Sequence, residues 1–293
     1  MPSEVNALEF VDAGTVEEAL EALAERGEEA VVLAGGTDVV VQMLQGSLRP
    51  RRLVHIRRLS ELRGITSDDR MEIGALTTHW ELGQDAVVRT DHRSLAEAAA
   101  TVGGRQTQNI GTVAGNIVNA SPAADLLPAL LVANAEVKTV NSAGERSLAL
   151  EDFLLDRKRT ALRPDELVTA ISLEPPSPRS GETYLKVGRR GAMEVALVGL
   201  AVRVRIDENH AVDDVRIAVC SVGPKAFRAR DAESALVGTV GNGSAIGEAA
   251  RLLQAAASPI DDVRGTAAYR RRVLATLLER AVARSLDTAR SRE

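Results

Sequence analysis

Cysteine is almost absent from this chain: Cys220 stands alone among 293 residues. That excludes an internal disulfide and any iron–sulfur cluster ligated by this chain by itself. Cys220 lies in the apolar run Val215–Val222, which has the pattern of a strand, so a buried structural thiol is expected rather than a nucleophile. Aromatic residues make up only 2% of the chain and the net charge is −5. A nucleic-acid binder would want a basic face and stacking rings, so that class is disfavoured. No apolar run reaches the eighteen or so residues of a membrane span. The histidines, His55, His79, His92 and His210, show no metal-ligand spacing and are expected to be structural or superficial. Met1-Pro2-Ser3-Glu4-Val5 has neither a basic region nor an apolar core, which predicts no secretory signal and a cytoplasmic location.

What is present is the composition of a folded globular protein, 45% apolar and 26% charged, with length enough for two domains. Thr15 and Glu18 form a capping-box pattern, and Val16, Ala19, Leu20 and Leu23 recur at helical spacing up to Gly27. Val31–Leu33, Leu53–Ile56 and Met71–Ala75 are short strands, and Thr78 with Glu81 opens a second capped helix. Trp80, near that helix start, is expected in the core or at a subunit contact. Leu95–Val102 is an Ala-rich helix. Val137–Val140 and Ser147–Leu150 flank the turn Asn141-Ser142-Ala143-Gly144, a hairpin signature. After the strand Leu167–Leu173 comes Glu174–Gly181, rich in Pro, Ser and Gly, the best candidate for a domain boundary. Beyond it, Val195–Ile206 and Val212–Val222 suggest an antiparallel meander, followed by helical patterns at Arg228–Val237, Ala245–Ala257 and Thr266–Arg284. The last carries Arg270, Arg271, Arg272, Arg280 and Arg284, expected as a solvated face.

Two glycine-bearing stretches carry the chemistry. The strand Val31–Leu33 leads into Ala34-Gly35-Gly36-Thr37-Asp38 and then an apolar helix. The second stretch runs from Asn109 to Pro128. It combines Gly111, Thr112, Gly115, Asn116, Asn119 and Ser121 with Asp125 at the start of an apolar run. Glycines let backbone approach a ligand, and amides and hydroxyls supply neutral donors and acceptors. Ser121 before Pro122 has the pattern of an N-cap, predicting a helix from about Ala123 to Leu131. A glycine-rich turn feeding a helix can cradle a phosphate, yet neither stretch is a GxGxxG or Walker motif, and each could be a plain connection.

Taken together with Tyr184-Leu185-Lys186-Val187-Gly188-Arg189-Arg190 and Pro259–Arg270, these stretches resemble one family in order and separation. That family is the FAD-binding medium subunit of molybdenum hydroxylases, which includes xanthine dehydrogenase and carbon monoxide dehydrogenase. The resemblance covers nearly the whole chain. It implies an α+β fold: a two-lobed FAD-binding domain of the vanillyl-alcohol-oxidase type over residues 1–178, with lobes of about 1–60 and 61–178. A smaller domain over 179–293 would hold a three-stranded antiparallel sheet and a helical bundle. It also implies FAD on this chain, with molybdopterin on a large partner subunit and [2Fe–2S] clusters on a small one, in a dimer of heterotrimers serving an external electron acceptor.

The site residues follow by resemblance. Ala34, Gly35, Gly36, Thr37 and Asp38 match one diphosphate loop; Gly111, Thr112, Gly115 and Asn116 match the other. Asn119 and Ser121 sit where polar contacts are expected, and Asp125 where flavin hydroxyls are bound. Leu167 and Val168 match an apolar wall against the ring, and Lys186 a lysine at its pyrimidine end, where a cation would stabilise the reduced flavin. Neither loop contains a lysine, so backbone N–H groups and helix dipoles are expected to meet the diphosphate charge. The chain departs from the family at Ala114, where glycine is usual and a positive φ would strain alanine, and at Gln108, where arginine is frequent. It departs again at Glu194, where Asp is frequent. Two alternatives carry different expectations. A stand-alone FAD oxidase or reductase of the same fold would turn over alone, and an assembly module that has lost FAD would be colourless.

Overall fold

The computed structural model describes residues 8–292; the Met1–Val5 stretch considered for targeting lies outside them. The chain opens with β1 (Glu9–Asp12), α1 (Val16–Arg26), β2 (Ala30–Leu33), α2 (Val39–Leu44) and β3 (Arg52–His55). These form a parallel sheet of order β1-β3-β2. Helix α1 starts where Thr15 Oγ1 accepts the Glu18 N–H at 3.2 Å, and it stops at Gly27, whose φ of +53° favours glycine. Its Ala19, Ala22 and Leu23 are buried with Val54 and Leu59 in one cluster. Strand β1 had no clear signal in the sequence, because it is an edge strand with little burial. It is held by Glu9, which accepts from Arg52 Nε at 2.8 Å.

The next unit contains β4 (Ile65–Ser67), β5 (Met71–Gly74), α3 (His79–Gln84), α4 (Ala86–Asp91), α5 (Arg93–Ala100), α6 (Arg105–Ile110), α7 (Val113–Val118) and α8 (Leu126–Val132). It continues through β6 (Glu136–Asn141), β7 (Gly144–Ala149), α9 (Leu150–Phe153), β8 (Leu154–Asp156), β9 (Arg159–Thr160) and β10 (Leu167–Leu173). The main sheet has the order β4-β5-β10-β6-β7 and is antiparallel throughout. The Thr78–Glu81 capping box is complete, and the β6–β7 hairpin closes at the expected turn. Trp80 is neither fully buried nor bare: the Arg105 guanidinium lies 3.3 Å from its ring centroid.

One expectation needs correction in this unit. Asn109–Pro128 contains the end of α6, all of α7 and the start of α8, but Ser121 does not cap the next helix. Its hydroxyl accepts the Ala123 N–H at 3.3 Å, its carbonyl takes the Ala124 N–H, and α8 begins four residues later than that cap would place it, with Asp125 at the N-cap position. Every residue of α8 is buried, because it packs against α5 on one side and against the strands of the next sheet on the other.

The third unit comprises β11 (Ser180–Val187), β12 (Val198–Ile206), β13 (Val212–Cys220), β14 (Phe227–Arg228), α10 (Arg230–Ser234), α11 (Gly243–Ala256) and α12 (Ala267–Arg290). Its antiparallel sheet, β11-β12-β13-β14, has four strands where three were expected. The extra strand is only Phe227–Arg228 paired with Ala218 and Val219, and its sequence reads equally well as a helix start. Strand β12 is buried on both faces. Val198, Leu200, Val202 and Val204 join the cluster under α11 and α12, while Ala201 joins the cluster around α8.

The basic helix is only partly the solvated face expected of it. Arg271, Arg272, Arg280 and Arg284 are exposed, but Arg270 is 2% exposed. Its guanidinium donates to the carbonyls of Leu197 and Ser221, both at 3.1 Å, and to Asp262 Oδ1 at 2.7 Å. Asp262 also binds Arg264, and these two cations hold its carboxyl well below the usual range despite the opposing effect of burial. The Pro259–Arg270 motif is therefore an ionic clasp that fixes the start of α12.

Candidate functional site

A cavity of about 550 Å³ opens where the first two units meet, a size typical of cofactor sites. Its lining includes Ala34, Gly35, Gly36, Thr37 and Asp38 from the turn after β2. It also includes Thr112, Gly115, Asn116 and Asn119 around α7, and Leu167 and Val168 at the start of β10. Gly111, Ser121, Asp125 and Lys186 are not on that lining.

The glycines have separate jobs. A Cβ on Gly35 would lie 1.8 Å from the carbonyl oxygen of Ile110, so this glycine lets the two loops touch each other. Gly36 has a φ of +73°, the left-handed conformation that other residues avoid. Among the described residues no protein acceptor takes the N–H groups of Gly35, Gly36, Thr37 or Asp38. The second stretch differs. Its N–H groups at Val113, Ala114, Gly115 and Asn116 bind Thr77 O, Ala75 O, Thr112 Oγ1 and Thr112 O. Most free backbone donors therefore come from the first loop, joined by the Thr112 N–H, and the second stretch otherwise offers side chains.

A cation completes this end of the cavity. Lys158, on the turn between β8 and β9, lines the cavity and donates to Asn119 Oδ1 at 2.5 Å. Asn119 Nδ2 in turn donates to Asp38 Oδ1 at 2.8 Å, linking both stretches through one amide. Burial lowers the Lys158 pKa, Asp38 raises it, and Arg157 lowers it further. Neither glycine-bearing stretch holds a lysine, but the fold brings one to the cavity from a turn 39 residues beyond Asn119, which no local motif announces.

Two polar atoms of the wall are buried without a protein partner: Asn116 Oδ1 and His79 Nδ1. Burial lowers the His79 pKa to about 4, so the ring is neutral around pH 7. Buried polar atoms without partners are costly, and both belong to residues that line this cavity. Glu166, on the same wall, is already engaged: Arg146 donates to both of its oxygens at 2.6 Å.

Two of the remaining predicted residues, Asp125 and Lys186, form a second cluster. Lys186 Nζ donates to Asp125 Oδ2 at 2.8 Å and to the carbonyl of Thr101 at 3.0 Å, one residue from cavity-lining Val102. Tyr184 Oη donates to Asp125 Oδ1 at 2.6 Å. Burial pushes the Asp125 carboxyl above its ordinary range, and Lys186 and Tyr184 pull it back. Gly111 lies behind the lining: a Cβ on it would crowd Thr107 O at 2.9 Å and the His79 ring at 3.0 Å.

The departures at Ala114 and Gln108 lose their force here. Ala114 is inside α7 and has no positive φ, so the methyl is unstrained. Gln108 is buried and donates to the carbonyls of Ala100 and Val102 at 3.0 and 3.1 Å, a structural tie rather than a missing cation. Glu194 accepts from Arg189 Nε at 2.8 Å and from the Arg190 N–H at 2.6 Å, closing the loop after β11.

A family profile described as the FAD binding domain in molybdopterin dehydrogenase matches residues 6–176. The chain belongs to the FAD-binding medium subunits of the molybdenum hydroxylase family. A second profile, the CO dehydrogenase flavoprotein C-terminal domain, matches residues 183–285 of this medium subunit. The 6-hydroxypseudooxynicotine dehydrogenase complex subunit alpha of Paenarthrobacter nicotinovorans is 33% identical over 97% of this chain and 96% of its own length. The carbon monoxide dehydrogenase medium chain of Hydrogenophaga pseudoflava is 32% identical over 92% of this chain and 93% of its own. Among solved structures, carbon monoxide dehydrogenase from Hydrogenophaga pseudoflava superposes with a TM-score of 0.91 at 30% identity, covering 95% of this chain and 96% of that one. The quinoline 2-oxidoreductase of Pseudomonas putida 86 gives a TM-score of 0.89 at 25% identity, covering 97% and 98%. The chain is thus an oxidoreductase subunit, and its first domain is of the FAD-binding kind.

Proposed function

We propose that this medium subunit carries FAD in the cavity between its first two units and transfers electrons within a heteromeric molybdenum hydroxylase. The observation that carries this is the convergence on one cavity of four unengaged N–H groups at Gly35–Asp38 and the Lys158 ammonium. That donor set fits a diphosphate, and the flanking apolar wall of Leu167 and Val168 fits a flat ring.

FAD supplies the redox chemistry when bound; the protein binds and orients it and sets its electrostatics. The Gly35–Asp38 backbone and Lys158 hold the diphosphate. Asn119 keeps Lys158 and Asp38 in place. Thr112, Gly115 and Asn116 shape the opposite side, with Gly111 and Ser121 fixing the turns behind it. Lys186, anchored by Asp125, stands at the pyrimidine end of the ring with one N–H left to donate to the flavin. The two lobes are of the vanillyl-alcohol-oxidase type, about 1–60 and 61–178, and residues 179–293 form the second domain.

The partners are a large molybdopterin subunit, where the organic substrate is oxidised, and a small subunit with [2Fe–2S] clusters that reduce this flavin. An external acceptor then reoxidises it. Three features support the need for partners: the lone buried Cys220, the lack of metal-holding His/Cys/Asp/Glu groups among the described residues, and relatives that are themselves subunits of complexes. No helix among the described residues is long and apolar enough to cross a membrane. The assembly is a cytoplasmic dimer of heterotrimers. Titrating the flavin-free chain with FAD, FMN and riboflavin tests the cofactor assignment. Tight binding of FAD alone is expected, and equal weak affinity for all three would sink it.

A further inference from the structure

The Asp125 carboxylate is gripped from one strand. Tyr184 and Lys186 are two residues apart on β11, so their side chains leave the same face. Tyr184 donates to Oδ1 at 2.6 Å, and Lys186 donates to Oδ2 at 2.8 Å. The phenol is itself fixed from behind. A Cβ on Gly199 would lie 2.5 Å from Tyr184 Oη and 2.6 Å from Cys220 Sγ, so only glycine leaves room for the ring and the thiol. Tyr184 and Asp125 are 4% and 7% exposed. The titratable groups facing Asp125 are Lys186 and Tyr184 from β11 and Cys220 from β13. Lys186 spends two of its three N–H groups on Asp125 and Thr101, leaving one directed elsewhere.

We propose that Tyr184 is a positioning residue whose phenol, added to the Lys186 ammonium, keeps Asp125 ionised, so that the Lys186–Asp125 pair beside the flavin carries no net charge. This rests on the FAD assignment above and adds to it a determinant of the flavin potential. Burial alone would favour the neutral acid, and two charge-assisted hydrogen bonds oppose it. Removing the phenol leaves Oδ1 facing a phenyl ring and a buried thiol. The carboxyl then takes a proton at lower acidity, and the pair becomes a net cation. A net cation beside the flavin favours its reduced form, so the potential rises.

The test is the midpoint potential of the FAD-loaded full chain between about pH 6 and 9, measured for wild type, Tyr184→Phe, Asp125→Asn and the double variant. Asp125→Asn makes the pair a permanent cation and should raise the potential. Tyr184→Phe should raise it toward the same value at the acid end and return toward wild type as pH increases. The double variant should match Asp125→Asn, with no further effect of losing the phenol. A purely structural tyrosine would lower thermal stability or FAD affinity and leave the potential unmoved, which would overturn the proposal. So would an additive double variant. Should Tyr184→Phe fail to fold, Asp125→Asn still decides: an unchanged potential refutes a role for the pair's charge. Wild-type chain that binds no FAD would instead refute the cofactor assignment itself.

Discussion

Replacing Gly35 by alanine tests the geometry of the site with the smallest possible change. The new methyl would be 1.8 Å from Ile110 O and 2.6 Å from its carbonyl carbon. Non-bonded contacts of this kind need more than about 3 Å, so the first loop must retreat by at least about 1 Å. Ile110 cannot yield easily. The peptide beyond it is anchored by Gly111 N–H to Thr107 O at 2.7 Å and by the His79 N–H to Gly111 O at 3.1 Å. Overpacking of this type costs about 1–3 kcal/mol. Displacing the free N–H groups from a diphosphate costs roughly another 1 kcal/mol for each bond weakened. The first cost falls on folding stability; weakening three such bonds, about 3 kcal/mol, corresponds to about a 100-fold weaker FAD affinity. Fluorescence titration of the flavin-free variant measures this, with Gly191→Ala as control because an added Cβ there meets nothing within 4 Å. FAD affinity within threefold of wild type for Gly35→Ala would refute the close approach of the two loops and the role assigned to it.

Lys158→Met should weaken FAD by about tenfold and leave riboflavin unaffected, because the lysine serves the diphosphate alone; equal losses for both ligands would reassign it to folding. Ala114→Gly should cost about 0.5–1 kcal/mol of stability with no gain in FAD affinity, since Ala114 is an ordinary helical residue. Asp262→Ala should destabilise the chain by about 3–5 kcal/mol in thermal or urea unfolding, because buried Arg270 loses its carboxylate partner. Burial lowers the His92 pKa from 6.5 to about 4, so the unfolded chain binds that proton first as pH falls. Stability from this group is complete above about pH 6.5 and declines toward pH 4, by about 3 kcal/mol. His92→Leu should flatten the unfolding free energy across that window relative to wild type.

The sequence showed its capped helices and hairpin clearly because their signals are local. Thr15, Thr78, Gly27 and the Asn141–Gly144 turn act on neighbours within a few residues, and the structure uses each of them. The four motif stretches also marked the family. What stayed hidden depends on contacts between distant segments. Gly35 was read as room for a ligand, and it is first of all room for Ile110. Lys158 could not be assigned because its partners, Asn119 and Asp38, come from elsewhere in the chain. Arg270 looked like its four exposed neighbours on α12, and only the fold turns it inward onto Asp262. Ser121 makes the contact a cap would make, to the Ala123 N–H, but it caps only a turn, because the helix does not start until Leu126.

Electron relay through FAD, between an iron–sulfur partner and an external acceptor, is the role proposed for this subunit. Purifying the native complex and measuring flavin, iron and molybdenum on the same sample tests it most directly. About one FAD, four iron and one molybdenum are expected for each copy of this chain, with two [2Fe–2S] clusters on the small partner. Flavin without iron or molybdenum, or a complex that assembles without flavin, would contradict it.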